Sequence, residues 1–427
     1  MSALPVADVT GFDLRALPEG FHDDPYRWYA ALRAEGPVRW MPDGSVLITG
    51  YRACEAVYRD ARVFTSDKKA EFGPKYGVGS PLYEHHTTSL VFNDPPLHTR
   101  VRRLIAGALT VRATDAMEAP LTAWVDHLLD RMAAKVAAGE AVDLIEDFAS
   151  AIPIEVIGNL LGVPPAKRGP LRDWSLAILG ALEPSLTPEQ LARGHSAVSD
   201  FVAWLRGLVA ERRARPGDPA TDVLTRLIQG DGGGLGGHEQ LSDAELYQNC
   251  IFILNAGHET TTNLIGNGLV ALLQWPDQQR LLIEQPGLIR EAVEEFLRFE
   301  SSNQLGNRLS TADVVVGGVA LPAGTRITLC IGAANRDPEV HADPDRLDIR
   351  RNPNRHLAFG FGAHQCVGMS LARLEGRVAI GRFLQRFPGY ALAGAPVRGG
   401  RVRFRGFLRV PLQFGSGSGS DESLAGA

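Results

Sequence analysis

A mainly α-helical fold with a smaller β-rich region is what this sequence predicts, and three observations carry it. Apolar residues recur at helical spacing over most of residues 98–227 and again over 243–275. Two capping boxes, Thr187-Pro188-Glu189-Gln190 and Ser242-Asp243-Ala244-Glu245, mark helix starts by a side-chain exchange that only a helix N-terminus uses. Strand-like runs are short, at residues 38–41, 45–49, 314–316 and 326–331, with Pro/Gly turns between them.

In chain order, residues 24–33 read as a short helix. The runs at 38–41 and 45–49 flank Pro42-Asp43-Gly44 and read as a hairpin. The Gly/Pro/Lys-rich segment 66–86 reads as a long loop, a kind of segment that is usually functional or disordered. Helical patterns follow to about 227, broken at prolines and glycines. The run Gly230-Asp-Gly-Gly-Gly-Leu-Gly-Gly237 reads as a flexible connection; no strand precedes it and no Lys-Ser/Thr follows, so it is no phosphate loop. The longest helix opens at the second capping box and stops at Pro276. A shorter helix, a turn at Gln285-Pro286 and a helix over 291–299 lead into the second group of strands. Residues 1–414 are expected to form one domain. Residues 415–427, rich in Gly and Ser, read as a disordered tail or linker, either a non-native addition or the cut end of a fusion.

Composition narrows the class. A net charge of −5 gives no reason to expect nucleic-acid binding. Four scattered cysteines make no disulfide framework, and the N-terminus lacks a basic segment followed by an apolar run. No stretch approaches the roughly 20 apolar residues that span a bilayer. A cytoplasmic chain without a membrane anchor, acting as a monomer, is the expectation.

The informative stretch is His356-Leu-Ala-Phe-Gly-Phe-Gly-Ala-His-Gln-Cys366-Val-Gly368, just ahead of a helical pattern at 369–380. A thiol there sits beside unpaired backbone N–H groups and the positive end of a helix dipole, which favour the thiolate. Gly360, Gly362 and Gly368 let backbone approach a large flat object. Cys54, Cys250 and Cys330 are too far in sequence to complete a zinc site or redox pair of the usual spacing. A lone thiolate aimed at something broad suits the axial ligand of a heme iron. The segment Phe359-Gly-Phe-Gly-Ala-His-Gln-Cys366-Val-Gly368 resembles the heme signature of the cytochrome P450 family, the heme-thiolate monooxygenases, and the resemblance extends over residues 10–413.

Three further motifs stand in the order that the resemblance requires. In Ala256-Gly-His-Glu-Thr-Thr261 a mid-helix threonine can turn its hydroxyl to the carbonyl four residues back and bend the helix. The resemblance makes Thr260 and Glu259 the catalytic pair that delivers protons during oxygen activation. A zinc-protease reading of His258-Glu259 fails because position 262 is threonine. Glu295-Phe-Leu-Arg298 pairs opposite charges at i, i+3, a structural pair in the family. His98 and Arg102 share a helix face at i, i+4, and with Arg308 and His364 they match propionate-binding positions. Phe359, Gly360 and Ala256 match cofactor contacts.

What the resemblance implies is heme b held by Cys366 between the long helix and the cysteine loop. It further implies O2 as co-substrate, and NAD(P)H acting only through a ferredoxin or flavodoxin and its reductase. The reaction is hydroxylation, O-demethylation or epoxidation of a small-to-medium organic substrate. Arg100, Arg103, Arg373 and Arg377 offer either a basic docking patch for an acidic electron carrier or ordinary surface charge. A peroxide-using peroxygenase or isomerase, and a non-catalytic scaffold, are the alternatives. The intact Glu259–Thr260 pair argues against the first and Cys366 against the second. For the pocket, Phe252, Thr88 and Leu90 are expected as walls. Asn255 and Asn303 stand where apolar residues are usual: either they satisfy each other and nearby backbone, or they bind a polar group of the substrate.

Overall fold

The computed structural model describes residues 7–219, 222–230 and 240–415, so most of the 230–237 connection and the tail after Gly415 lie outside the described residues. The axis of the molecule is the helix Asp243–Gln274 of 32 residues, about 48 Å long at 1.5 Å per residue. Its start is the capping box read from the sequence: the Ser242 hydroxyl accepts from the Glu245 N–H, and the Glu245 carboxylate accepts from the Ser242 N–H at 2.8 Å. Pro276 ends it by opening the next helix, Pro276–Glu284. Every residue from Thr261 to Leu272 is buried, as expected for a helix that is apolar around much of its circumference. The helices Ala151–Leu160, Leu171–Gly180, Pro188–Ala214 and Met369–Arg386 pack around it. At Gly268 a side chain is excluded: a Cβ there would lie 2.9 Å from the Phe296 ring of the helix Ile289–Phe299.

The β-rich region is built from two distant parts of the chain. Its sheet runs Val38–Trp40, Val46–Ile48, Arg326–Cys330, Leu305–Ser310, Phe64–Thr65. The expected hairpin forms, with Val38 opposite Ile48. Val46–Ile48, buried throughout, pairs in parallel with Arg326–Cys330, and strands covered on both faces read as continuous apolar runs. Val142–Asp143, a short strand inside the helical stretch, pairs with Pro411–Phe414 and ties the C-terminal segment to the middle of the chain.

The long loop expected at 66–86 is a misreading. Two helices, Lys69–Tyr76 and Pro81–Thr88, occupy most of it. Ser80 caps the second by accepting from the Tyr83 N–H, with Pro81 at the first helical position. Phe72 and Tyr76, spaced i, i+4, are buried with ring centroids 5.2 Å apart, and both rings pack on His86. Buried aromatic area outweighs the poor helix propensity of Gly73 and Pro74.

Candidate active site

The cysteine loop is held by its own backbone. The Cys366 N–H donates to the Phe359 carbonyl at 2.9 Å, Gly360 N–H to Leu357 at 2.8 Å and Gln365 N–H to Gly362 at 3.0 Å. Gly360 and Gly362 have φ of +64° and +72°, and a Cβ on Gly362 would meet the Tyr58 carbonyl oxygen at 2.3 Å. Glycine is therefore required there on two counts. Cys54, Cys250 and Cys330 are buried; Cys366 is partly exposed, three residues ahead of the helix Met369–Arg386. Burial pushes the Cys366 thiol up, and the Gly368 N–H with Arg102 and Arg373 oppose it. The thiolate-favouring groups expected from the sequence are present but outweighed by desolvation.

Along the long helix Phe252, Ala256 and Thr260, spaced i, i+4, i+8, share a face and are accessible, beside the buried Leu254, Asn255, His258 and Glu259. The Thr260 hydroxyl donates to the Ala256 carbonyl at 2.6 Å, the bond expected from the sequence. The Thr260 carbonyl accepts from Ser302 at 2.8 Å. Gly257 admits the neighbouring helix, since its Cβ would fall 2.2 Å from Ile157.

Glu259 does not face water. Both of its oxygens accept from Arg401 Nη1, at 2.6 and 2.8 Å, and the carboxylate is buried. Burial and Glu183 push its pKa up while Arg401 pulls it down, and the net direction is up. Beside the pair is a cavity of about 30 Å³ lined by Arg172, His258, Glu259, Asn263 and Arg401, room for about one water. Neither His258 ring nitrogen bonds to the protein. Sequence reading missed Arg401, which lies 142 residues from its partner.

The basic residues expected around a cofactor come together. The His98 and His364 rings lie 4.0 Å apart. Arg102 donates to the Gln365 carbonyl at 2.7 Å, tying the helix Leu97–Ala108 to the cysteine loop. Arg308, 8% exposed, donates to the Asn307 carbonyl at 2.7 Å and lies over the Tyr58 ring. Asp94 is the carboxylate in this corner: it approaches His364 at 3.8 Å and is held down to about 2 by bonds from His364, Thr65 and Ser66 against burial. His98 Nε2 is buried without a partner. Two arginines and two histidines, the latter held toward the neutral form by burial, meet one carboxylate here, and with an unpartnered buried imidazole nitrogen they fit a flat cofactor bearing two carboxylates.

Glu295 and Arg298 are fully buried and bonded twice, both at 2.8 Å. Arg298 also donates to the carbonyls of Asn335, Pro344 and Arg346, and Glu295 accepts from Asp348 N, Arg351 and Asn354.

In the pocket, Asn255 and Asn303 do not satisfy each other. Asn255 is 2% exposed and both of its polar side-chain atoms lack partners, as does Asn303 Oδ1. Leu90 is buried, and its N–H donates to Asn249 of the long helix at 2.9 Å, which draws the Thr88–Leu90 segment against that helix. Of the expected basic patch, Arg100 pairs with Glu245, and Arg373 pairs with Glu294 at 2.7 Å while covering the Phe359 ring. Arg377 lines a surface cleft with Glu118. Local neutralisation thins the patch.

The family model "Cytochrome P450" matches residues 179–389. The chain is 38% identical over 415 residues to the vitamin D(3) 25-hydroxylase of Pseudonocardia autotrophica, covering 95% of this chain and 98% of that one. It is 36% identical over 405 residues to the biotin biosynthesis cytochrome P450 of Bacillus subtilis (92% and 97%). The crystal structure of P450BioI with hexadec-9Z-enoic acid ligated acyl carrier protein superposes with a TM-score of 0.85 at 34% identity, covering 93% of this chain and all of that one. With the thiol loop, the threonine-bearing helix and the buried Glu–Arg pair in place, the chain belongs to the cytochrome P450 family of heme-dependent, O2-using monooxygenases.

Proposed function

We propose that Cys366 would hold the heme iron through its thiolate, that Phe359, Gly360 and Ala256 would contact the cofactor, and that His98, Arg102, Arg308 and His364 would bind its propionates. The observation that carries this is the corner beside the cysteine loop, where basic groups outnumber carboxylates next to a partly exposed thiol. Heme b with a thiolate ligand supplies the O2 activation by which one oxygen atom enters the substrate.

The chain's own residues bind, orient and move protons. Thr260 Oγ1 spends its hydrogen on the Ala256 carbonyl, so its lone pairs remain free to accept a proton donor. Glu259 holds a carboxylate whose pKa burial raises toward the range of a proton carrier. Phe252, Thr88 and Leu90 wall the substrate, and the unpartnered amides of Asn255 and Asn303 receive a polar group on it. The pair Glu259–Thr260 favours this reaction over a peroxide-driven one, and the accessible Cys366 favours it over a scaffold. Residues 1–414 act as one domain, a cytoplasmic monomer. Electrons reach the site from NAD(P)H through a reductase and a ferredoxin or flavodoxin. Among the described residues no helix is long and apolar enough to cross a membrane.

The test is the ferrous–CO spectrum of the purified protein. A strongly red-shifted Soret band is expected, lost in Cys366→Ser. A band typical of histidine ligation overturns the assignment. Glu259→Gln and Thr260→Ala should keep the band while turnover falls about 10²-fold, the scale of a lost proton-transfer group.

A further inference from the structure

Beyond the cofactor corner the molecule holds a second surplus of positive charge. Arg403, half-buried, donates to the carbonyls of Leu305 at 3.0 Å and Leu182 at 3.4 Å and to Asn307 Oδ1 at 2.5 Å. All three acceptors are neutral. Lys75 donates to the Glu183 carbonyl oxygen at 2.7 Å, again a neutral acceptor. Among the described residues neither cation makes an ion pair. Two carboxylates lie nearby: Glu71 pairs with buried Lys68 at 2.9 Å, and Glu183 accepts from the backbone N–H groups of Val402 and Arg403 at 2.8 and 3.1 Å while keeping its charge, so Lys68, Lys75 and Arg403 exceed them by one positive charge. Burial and the Arg403 charge press Lys75 down to about 8, against the opposing pull of Glu71 and Glu183.

The position of this pair is fixed by backbone. Gln304 N–H donates to the Arg403 carbonyl at 2.8 Å, and Asn303 bridges Phe404. Arg403 is thus strapped beside Asn303, whose Oδ1 has no partner, and its Asn307 contact immediately precedes Arg308. The planar fork of a half-buried guanidinium matches a carboxylate.

We infer that Arg403, backed by Lys75, docks a carboxylate on the substrate, so that this enzyme oxidises an apolar molecule bearing an acidic end. The inference rests on the heme-thiolate pocket proposed above and names the class of molecule that it accepts. Arg403 acts as the fork and Lys75 adds a second positive charge beside it. The neutral amide of Asn303 suits the carboxylic acid's neighbouring polar atoms or an ordered water.

The experiment uses the heme-loaded protein and pairs of straight-chain fatty acids and their methyl esters of graded length, read by the spin-state shift of the Soret band. At the best length the acid should bind about ten-fold more tightly than its ester, the worth of one charge-assisted contact. Arg403→Gln should bring the ratio to within about two-fold, and Lys75→Met should give an intermediate value. A series in which no acid outbinds its ester overturns the inference, as does a preference that survives Arg403→Gln with Lys75→Met. Loss of heme or of the thiolate-type CO band in Arg403→Gln also overturns it, by making Arg403 a cofactor anchor. Failure of the underlying pocket reading looks different, since the unsubstituted protein would then lack the thiolate-type CO band.

Discussion

Two buried polar regions of this protein are built on opposite principles. Around Glu295 and Arg298 every charged atom is answered: a bidentate ion pair at 2.8 Å is surrounded by three carbonyls, a backbone N–H, Arg351 and Asn354. Around the middle of the long helix, Asn255, His258 and Asn303 keep polar atoms without partners. The first region is a closed network whose energy is realised on folding. The second holds unspent hydrogen-bonding capacity, which a native protein tolerates where something else is to bind. The difference separates groups that make the fold from groups that use it, though both are equally out of water.

The sharpest way to break this comparison is to open the closed network. Glu295→Ala leaves the buried Arg298 without its carboxylate, and a loss of about 3–5 kcal/mol is expected; Arg298→Ala should cost less, because Arg351 still pairs with Glu295 at 3.2 Å. Urea denaturation and heme retention measure it. Because four segments meet at this pair, the conservative Glu295→Gln should recover only part of the loss. A loss below about 1 kcal/mol, the scale of a surface pair, would mean that the network contributes little to the fold.

A smaller effect comes from Glu375 on the helix Met369–Arg386, a buried carboxyl with no cation beside it. Burial pushes it up to about 8 against a bond to Thr261, and its Oε1 has no partner. It is therefore protonated in the folded protein at neutral pH and ionised in the unfolded chain. Its contribution is fully present below the ordinary carboxyl range near 4.5. It is lost progressively as pH rises through about 8, at up to about 1.4 kcal/mol per unit. Glu375→Gln removes that slope. The substituted and unsubstituted proteins should unfold at similar urea concentrations near the low end of this window. At its alkaline end the substituted protein should be more stable by a few kcal/mol. Parallel pH profiles would mean that Glu375 is solvated or paired after all.

How legible each region was in the sequence follows from how local its partners are. The capping boxes, the Thr260–Ala256 bond and the Glu295–Arg298 pair span three or four residues, so helix periodicity exposes them. The glycines before Cys366 showed themselves because a positive φ leaves few choices of residue. Arg401 could not be seen: its partner Glu259 lies 142 residues away, and arginines abound in the stretch from 398 to 409. Arg403 was hidden for the same reason. The helix Lys69–Tyr76 was missed although its Phe72–Tyr76 spacing was in view, because Gly73 and Pro74 drew the reading to a loop. Whether Asn255 and Asn303 met each other was left open, and only three-dimensional placement could decide that they do not.

The smallest predicted effect tests the open region most directly. Asn255 buries an amide with neither atom bonded, and an unsatisfied buried polar group costs about 1–3 kcal/mol. Leucine has the same branched shape, is somewhat larger, and has nothing to satisfy. Asn255→Leu should therefore leave stability unchanged or raise it by about 1 kcal/mol, the reverse of the usual penalty for altering a core position. The same change should weaken binding of substrates with a polar group near the oxidised bond and spare purely apolar ones. Thermal unfolding and the Soret titration read the two effects separately. If Asn255→Leu instead destabilises by more than about 2 kcal/mol, the amide has a structural partner such as a bound water. The long helix would then belong with the Glu295 network, as a closed system, and the pocket's polarity would have to come from Asn303 and Arg403 alone.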